Sequence, residues 1–284
     1  MIVLKILVTG SEGQLGRELC RYFAHKAEIT ALNKETLDIT NINNVIDLCC
    51  FAKPDIIINA AAFTNVDGCE SNRELSFKAN SIGPRNLAIA CNRFDIGLVQ
   101  ISTDFIFDGV KAEPYLETDL PNPINRYGET KWFGEAFIKE LCSRFFIVRT
   151  SWLYGHYGHN FVRTMLKLGE QKDEISVVTD QIGTPTYTLD LCSAIDKLIS
   201  SDAYGTYHVS NSGQCSWHEF AEKIFELNNK NNIKVRAISS EELDRPARRP
   251  KYSVLRNYML ELQFDYHLPH WEDALERFFA SSQS

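Results

Sequence analysis

Short runs of consecutive apolar, often β-branched residues alternate along this chain with stretches in which apolar residues recur every three or four positions. KILVT (5–9), ITAL (29–32), DIIINA (55–60), GLVQIS (97–102) and FFIVRT (145–150) have the near-continuous apolar character of strands buried on both faces. The intervening stretches near 13–25, 43–52, 79–93 and 127–141 have helical periodicity. Such alternation predicts an α/β fold, a Rossmann-type doubly wound parallel sheet. Two more strands are expected near 175–179 and 205–209, with a helix near 188–200 joining them. Beyond 211 the pattern becomes helical and irregular: WHEFAEKIFEL (217–227), KVRAIS, an Arg/Pro segment and a last helix near 271–280. The expected organisation is a sheet domain from 1–150 and 171–210, with a smaller, mostly helical lobe from 151–170 and 211–284.

Composition narrows the function. The 284 residues are 44% hydrophobic and 24% charged, enough for a sizeable core, and the formal net charge is −7. The single basic cluster, Arg245, Arg248, Arg249 and Lys251, suits a small anionic ligand better than a duplex, so no nucleic-acid partner is expected. No apolar run approaches the roughly 18 residues that span a bilayer, and no membrane association is expected. MIVLKILVTG runs straight into a glycine turn, which reads as a buried strand and not a signal peptide. The eight cysteines form no CxxC pair and several sit in apolar segments, as in a reduced, cytoplasmic protein. Only His156/His159 and His267/His270 form loose histidine pairs, which read as loop residues, so no metal ligands are assigned.

VTGSEGQLGREL places Gly10, Gly13 and Gly16 between the first strand and an apolar-periodic helix. Glycines there allow a tight turn and let backbone N–H groups approach a pyrophosphate at the helix N-terminus. The competing reading is a turn that needs glycine only for packing. An NAD-preferring site carries Asp or Glu at the end of the second strand, to bind the ribose hydroxyls. Here Asn33 and Lys34 stand in that place, removing a carboxylate and adding a cation. NADPH is therefore the expected cofactor, with use of NADH left open; an ordinary surface lysine is the rival reading of Lys34. NAAAFT (59–64), after the third strand, offers small residues where a cofactor would pass close to the backbone.

RYGETKWFGEAF holds Tyr127 and Lys131 four residues apart, on one helix face. An ammonium near a phenol favours the phenolate and draws the phenol's pKa down from about 10, which suits proton exchange with a carbonyl oxygen. Tyr-x-x-x-Lys alone is common by chance. The fourth strand, however, ends in Ser102 and Thr103, at the sheet edge where ligands of open α/β folds bind. Either hydroxyl there can hydrogen-bond a substrate carbonyl.

These features together resemble the dTDP-4-dehydrorhamnose reductases, which are extended short-chain dehydrogenase/reductases. The G-x-x-G-x-x-G spacing resembles the extended branch. STDFIFDG, PNPINRYGETKWFGE, RTSWLYG followed by NFVRTML, DQIGTPTYTLDL and RRPKYSVL each resemble family segments, nearly from end to end. The resemblance implies reduction of the C4 ketone of dTDP-4-dehydro-L-rhamnose by NADPH, the last step of dTDP-L-rhamnose formation. It implies Thr103, Tyr127 and Lys131 as the catalytic set, with Ser102 the alternative hydroxyl. It places the cofactor against Gly10, Gly13, Gln14, Leu15, Gly16, Asn33, Lys34, Asp38, Ile39, Ala60, Ala61, Ala62 and Thr64, besides Tyr127 and Lys131. The dTDP-sugar would lie against Ser102, Thr103, Asp104, Trp152, Asn160 and Arg249. Asn160 has a helix N-cap as its rival reading, Trp152 an ordinary core position, and Arg249 a solvated surface.

The match has departures. Tyr252 stands where the family usually has Asn. Some members dimerise through Mg2+ held by glutamates; Glu18 matches one of these, the others find no counterpart, and a homodimer stays open. Two alternatives share the motifs or the fold: a reductase of another NDP-4-keto-6-deoxyhexose, and a non-catalytic NADP-binding subunit like the regulatory subunit of methionine adenosyltransferase.

Overall fold

The computed structural model describes residues 3–230 and 232–281. Its first half runs β1 (Lys5–Thr9), α1 (Gln14–Phe23), β2 (Glu28–Leu32), α2 (Ile42–Ala52), β3 (Ile56–Asn59), α3 (Val66–Ser71) and α4 (Arg73–Phe77). A π-helical turn at Lys78–Ile82 then leads into α5 (Gly83–Phe94) and β4 (Gly97–Thr103). A 3-10 turn at Asp104–Ile106 follows, then α6 (Arg126–Leu141) and β5 (Phe145–Thr150). The second half begins with β6 (Leu153–Tyr154), α7 (Phe161–Leu168), β7 (Glu174–Val178), β8 (Ile182–Gly183), β9 (Thr186–Tyr187), α8 (Thr188–Ile199) and β10 (Gly205–His208). It ends with β11 (Cys215–Ser216), α9 (Trp217–Leu227), β12 (Lys234–Ile238), α10 (Tyr258–Phe264) and α11 (Trp271–Ser281).

Six strands form one sheet in the order β2-β1-β3-β4-β5-β10, every pair parallel. Parallel neighbours require crossovers, and the helices that make them cover both faces. Alternate residues of each strand serve opposite layers. Ile6, Val8, Ile56 and Ile58 pack with α1 and α8, while Leu7 and Ile57 pack with α2 and α5. Strand order reverses between β1 and β3, and open α/β sheets bind ligands at the carboxyl ends of strands beside such a reversal.

The strand expected near 175–179 forms but does not enter this sheet. β7 pairs in parallel with β12, and Ile175 and Val177 join a separate core with Val162, Phe220, Ile224 and Trp271. Conversely, Leu260 of α10 packs into the core beneath the sheet. The periodicity groups these two segments the other way round. An apolar run reveals that a strand is buried but not which strand it pairs with, and the partner of β7 lies beyond two intervening helices.

Candidate active site

The carboxyl ends of β1, β3, β4 and β5 border a cleft of about 570 Å3. Its wall brings together Gly13, Gln14, Leu15, Ala60, Ala61, Ala62, Thr64, Ser102, Thr103, Asp104, Tyr127, Lys131 and Trp152, all singled out from sequence. A second cavity of about 480 Å3 adjoins it and shares Trp152 and His159. Asn160 and Arg249 line this second cavity, together with Phe161, Trp217, Gln181 and Arg245.

The helix carrying Tyr127 and Lys131 is fixed at its start by Asn125, whose side chain accepts from the Gly128 N–H at 2.8 Å and donates to the Arg248 carbonyl at 2.7 Å. The Tyr127 ring meets Phe105 edge-on, with centroids 5.9 Å apart. The Lys131 ammonium donates to the Ile101 carbonyl at 2.5 Å. That oxygen also takes the Gln100 amide (2.7 Å), Gln100 accepts from Asn59 (2.6 Å), and Asn59 accepts from Thr9 (2.5 Å). Lys131 thus ends a buried polar chain that crosses the tips of β1, β3 and β4.

The two candidate hydroxyls have different surroundings. Ser102 donates to Glu135 at 2.5 Å, and Glu135 forms a buried ion pair with Arg149 at 2.7 Å. Thr103 donates to Asp104 at 3.0 Å, accepts from the Phe105 N–H at 3.1 Å, and lines the same cleft as Tyr127. Both line the cleft, but the Ser102 hydroxyl is committed to the buried Glu135–Arg149 pair, whereas Thr103 bonds within the turn that follows β4.

Burial raises the Tyr127 phenol well above its ordinary range; the Asp104 carboxylate adds to this and Thr103 opposes it. The expectation that Lys131 draws the phenol down is therefore corrected. The ammonium is turned to Ile101, and desolvation outweighs it. Burial lowers Lys131 itself to about 8, against a smaller opposing effect of Glu135, and raises Asp104 to about 6. At neutral pH the phenol remains an O–H donor.

The turn after β1 fits a dinucleotide. Gly10 has φ +64, and a Cβ there would lie 2.7 Å from the Ala61 backbone. A Cβ on Gly16 would meet the Gly10 carbonyl at 2.1 Å, so this glycine does serve packing. Gly13, by contrast, faces the cleft. Three buried oxygens in the cleft wall, Gln14 Oε1, Asp104 Oδ2 and Thr150 Oγ1, have no hydrogen-bond partner among the described residues, as expected where a polar ligand completes the site.

Other expected contacts are placed differently. Asn33, Lys34, Asp38 and Ile39 line neither cavity. Asn33 and Lys34 begin the turn after β2, which is tied to the glycine turn by the Ser11 N–H donating to Leu32. Asp38 closes on Thr40 at 2.8 Å, and the Ile39 side chain is buried in the core. Asn160 caps α7, accepting from the Arg163 N–H at 3.1 Å and donating to Gly155 at 2.9 Å. That is its rival reading, and it uses both ends of the amide. Glu18 is buried against Arg21 at 2.5 Å and Thr188 at 3.3 Å. Tyr252 donates to Gln214 at 3.0 Å, so the residue that departs from the family pattern has a polar partner.

Sequence reasoning missed Gln181, His159, Trp217 and Ser253 as cavity residues. Gln181 lies inside DQIGTPT and His159 just before NFVRTML, so the motifs held the signal without a role. Arg245 belongs to the basic cluster already noted.

A match to the family described as RmlD substrate binding domain covers residues 4–284. This chain belongs to that family. Among curated relatives, the family resemblance extends to a spore coat polysaccharide biosynthesis protein, SpsK, of Bacillus subtilis, 43% identical over 99% of this chain and 98% of that protein. A dTDP-4-dehydrorhamnose reductase of Sinorhizobium fredii is 37% identical, with 96% of each chain covered. A solved dTDP-4-dehydrorhamnose reductase of Bacillus anthracis, in complex with NADP, superposes with a TM-score of 0.97 at 48% identity. That superposition covers 99% of this chain and 100% of that one. Among the described residues of this family member, no helix is long and apolar enough to cross a membrane.

Proposed function

We propose that this chain reduces the C4 ketone of dTDP-4-dehydro-L-rhamnose to dTDP-L-rhamnose with NADPH. The observation that carries this reading is the adjacency of the two cavities. One holds Thr103, Tyr127 and Lys131 beside the glycine turn, the other is lined by aromatic rings and two arginines, and Trp152 forms part of both walls. Aromatic walls suit a nucleobase, and guanidinium groups suit a diphosphate.

The cofactor, when bound, supplies the hydride that C4 receives. Tyr127 donates its phenolic proton to the ketone oxygen, so C=O becomes CH–OH and the phenolate regains a proton from water. Thr103 places a second hydrogen-bond donor at that oxygen and polarises the carbonyl. Lys131, whose ammonium donates to the Ile101 carbonyl, lines the same cleft and would orient the cofactor ribose there. Burial, reinforced by the Asp104 carboxylate, keeps the phenol protonated until the oxygen's charge develops.

The test is NADPH consumption against a panel of dTDP-4-keto sugars, with product configuration read by NMR. Tyr127→Phe should fold and bind cofactor yet lose about 10²–10⁴ of its turnover, the range for a general acid. Near-normal turnover of that variant would remove Tyr127 from this role. Turnover of a different keto sugar alone would reassign the substrate. Cofactor binding without turnover of any sugar would favour a non-catalytic subunit.

A further inference from the structure

A carboxylate from the glycine turn reaches the residue at the end of β2. Asn33 occupies that position, and its side-chain oxygen is committed to its own turn, accepting from the Glu35 N–H at 3.0 Å, the Thr36 N–H at 2.9 Å and the Thr36 hydroxyl at 3.0 Å. These bonds fix the amide, and its Nδ2 donates to Glu12 Oε1 at 3.0 Å. Glu12 lies inside the glycine turn, immediately before Gly13. A single amide donor engages one carboxylate oxygen and leaves the other able to accept from a hydroxyl.

We infer that Glu12 takes the part of the acidic residue that binds the adenosine ribose hydroxyls, and so sets the chain's choice between NADH and NADPH. In dinucleotide-binding sheets that residue stands at the end of β2, within reach of the ribose 2′ position. Here Glu12 is one hydrogen bond away from it, on a turn already tied to β2 by Ser11 and Leu32. A carboxylate there accepts from the 2′-hydroxyl of NADH and repels the 2′-phosphate of NADPH. Two cations flank it and act in the opposite sense. Lys34 follows Asn33 and is exposed, and Arg17 donates from Nε to the Glu12 backbone carbonyl at 3.0 Å. With opposed charges at one ribose, neither cofactor is excluded. Glu12 therefore acts as a specificity residue and lies away from the reacting atoms.

The inference rests on the dinucleotide reading of the cleft and is independent of which sugar is reduced. It is tested by fluorescence titration of NADPH and NADH, and by competition with 2′,5′-ADP and 5′-ADP, which report the adenosine end without any turnover. In the unchanged protein the two cofactors should bind within about tenfold of each other. In Glu12→Gln the ratio of NADH to NADPH dissociation constants should rise by about tenfold or more, with 2′,5′-ADP gaining over 5′-ADP in parallel. The gain should shrink at high salt, as screening of exposed charges requires. Lys34→Gln should move the ratio the other way. Equal changes for both cofactors in Glu12→Gln, or none, would overturn the assignment and leave the cofactor site standing. Failure of the unchanged protein to bind either cofactor would overturn both. Glu12 is exposed, so the variant is expected to fold, and unchanged thermal melting verifies this.

Discussion

The indole of Trp152 occupies the space where residue 183 would carry a side chain. A Cβ on Gly183 would lie 2.4 Å from Cε2 of the ring and 2.6 Å from Nε1. The indole also stacks on Trp217, with centroids 3.5 Å apart and planes 6° from parallel. Trp152 has φ +46, a left-handed conformation uncommon for a residue with a side chain. The next layer repeats the pairing, since Ser151 donates to the Thr184 carbonyl at 2.7 Å. The segments RTSWLYG and DQIGTPT are thus two halves of one wall, separate in sequence and interlocked in space.

Gly183→Ala tests that wall. Overpacking a tight contact costs typically 1–3 kcal/mol, and the ring cannot shift without disturbing its stack on Trp217. The expected result is a modest fall in melting temperature and a KM for the dTDP-sugar raised by about tenfold, with NADPH affinity little changed. An unaltered sugar KM would show that Trp152 does not shape the substrate cavity.

The two neighbouring hydroxyls of β4 separate scaffold from chemistry. Ser102→Ala removes a donor to the buried Glu135, which keeps its pair with Arg149, so a loss of about 1–3 kcal/mol in stability is expected, with kcat within a few-fold of normal. Thr103→Val keeps the shape and removes the hydroxyl beside Tyr127; kcat should fall by about 10²-fold, with folding and NADPH affinity retained. The reverse pattern would exchange their roles. Urea unfolding and steady-state kinetics on both variants decide it.

Asp104 gives a pH dependence of definite sign. Burial raises its carboxyl from 3.8 to about 6 in the folded chain. Between those values the folded state holds more of this proton than the unfolded state does. The associated stability is therefore fully present below about pH 3.8 and lost as pH rises through 6. Asp104→Asn does not titrate, so its melting temperature minus that of the unchanged protein should increase from pH 4 to pH 7. The same change removes the carboxylate that raises the Tyr127 phenol, so the basic limb of the activity profile should move to lower pH. A melting difference that is flat with pH would contradict the first expectation, and an unmoved basic limb the second.

The parallel sheet was legible because β1, β3 and β4 are almost continuous apolar runs, each followed by helical periodicity; the edge strands β2, largely exposed, and β10 (GTYH) carry that signal only weakly. Tyr127, Lys131 and Thr103 were legible because the strand–turn–helix frame fixes where side chains at strand ends must meet. The partner of β7 was not legible, since pairing with β12 depends on a tertiary arrangement that no local pattern encodes. The phenol's raised pKa was hidden for a related reason. Helical spacing places an ammonium near a phenol, but the direction of the shift depends on burial and on the carbonyl that captures Lys131. Asn160 shows a third limit, because an Asn before an apolar helix reads equally as cap or contact until its partners are known.

Arg249 reaches its cavity already paired. Its Nη1 donates to Asp67 at 2.7 Å and to the Ala247 carbonyl at 2.6 Å, and its Nη2 donates to Asp67 at 2.7 Å. A guanidinium has five N–H groups, so three are engaged and two, on Nε and Nη2, remain along one edge. That edge matches the spacing of two phosphate oxygens, and Asp67 keeps the fork oriented while it waits. Lysine supplies the same charge without the fork. Arg249→Lys should therefore raise the KM for the dTDP-sugar at least about tenfold, with kcat within a few-fold and NADPH affinity unchanged. If KM holds, any cation suffices at this position and the diphosphate is gripped elsewhere, with Arg245 of the same cavity the next residue to replace.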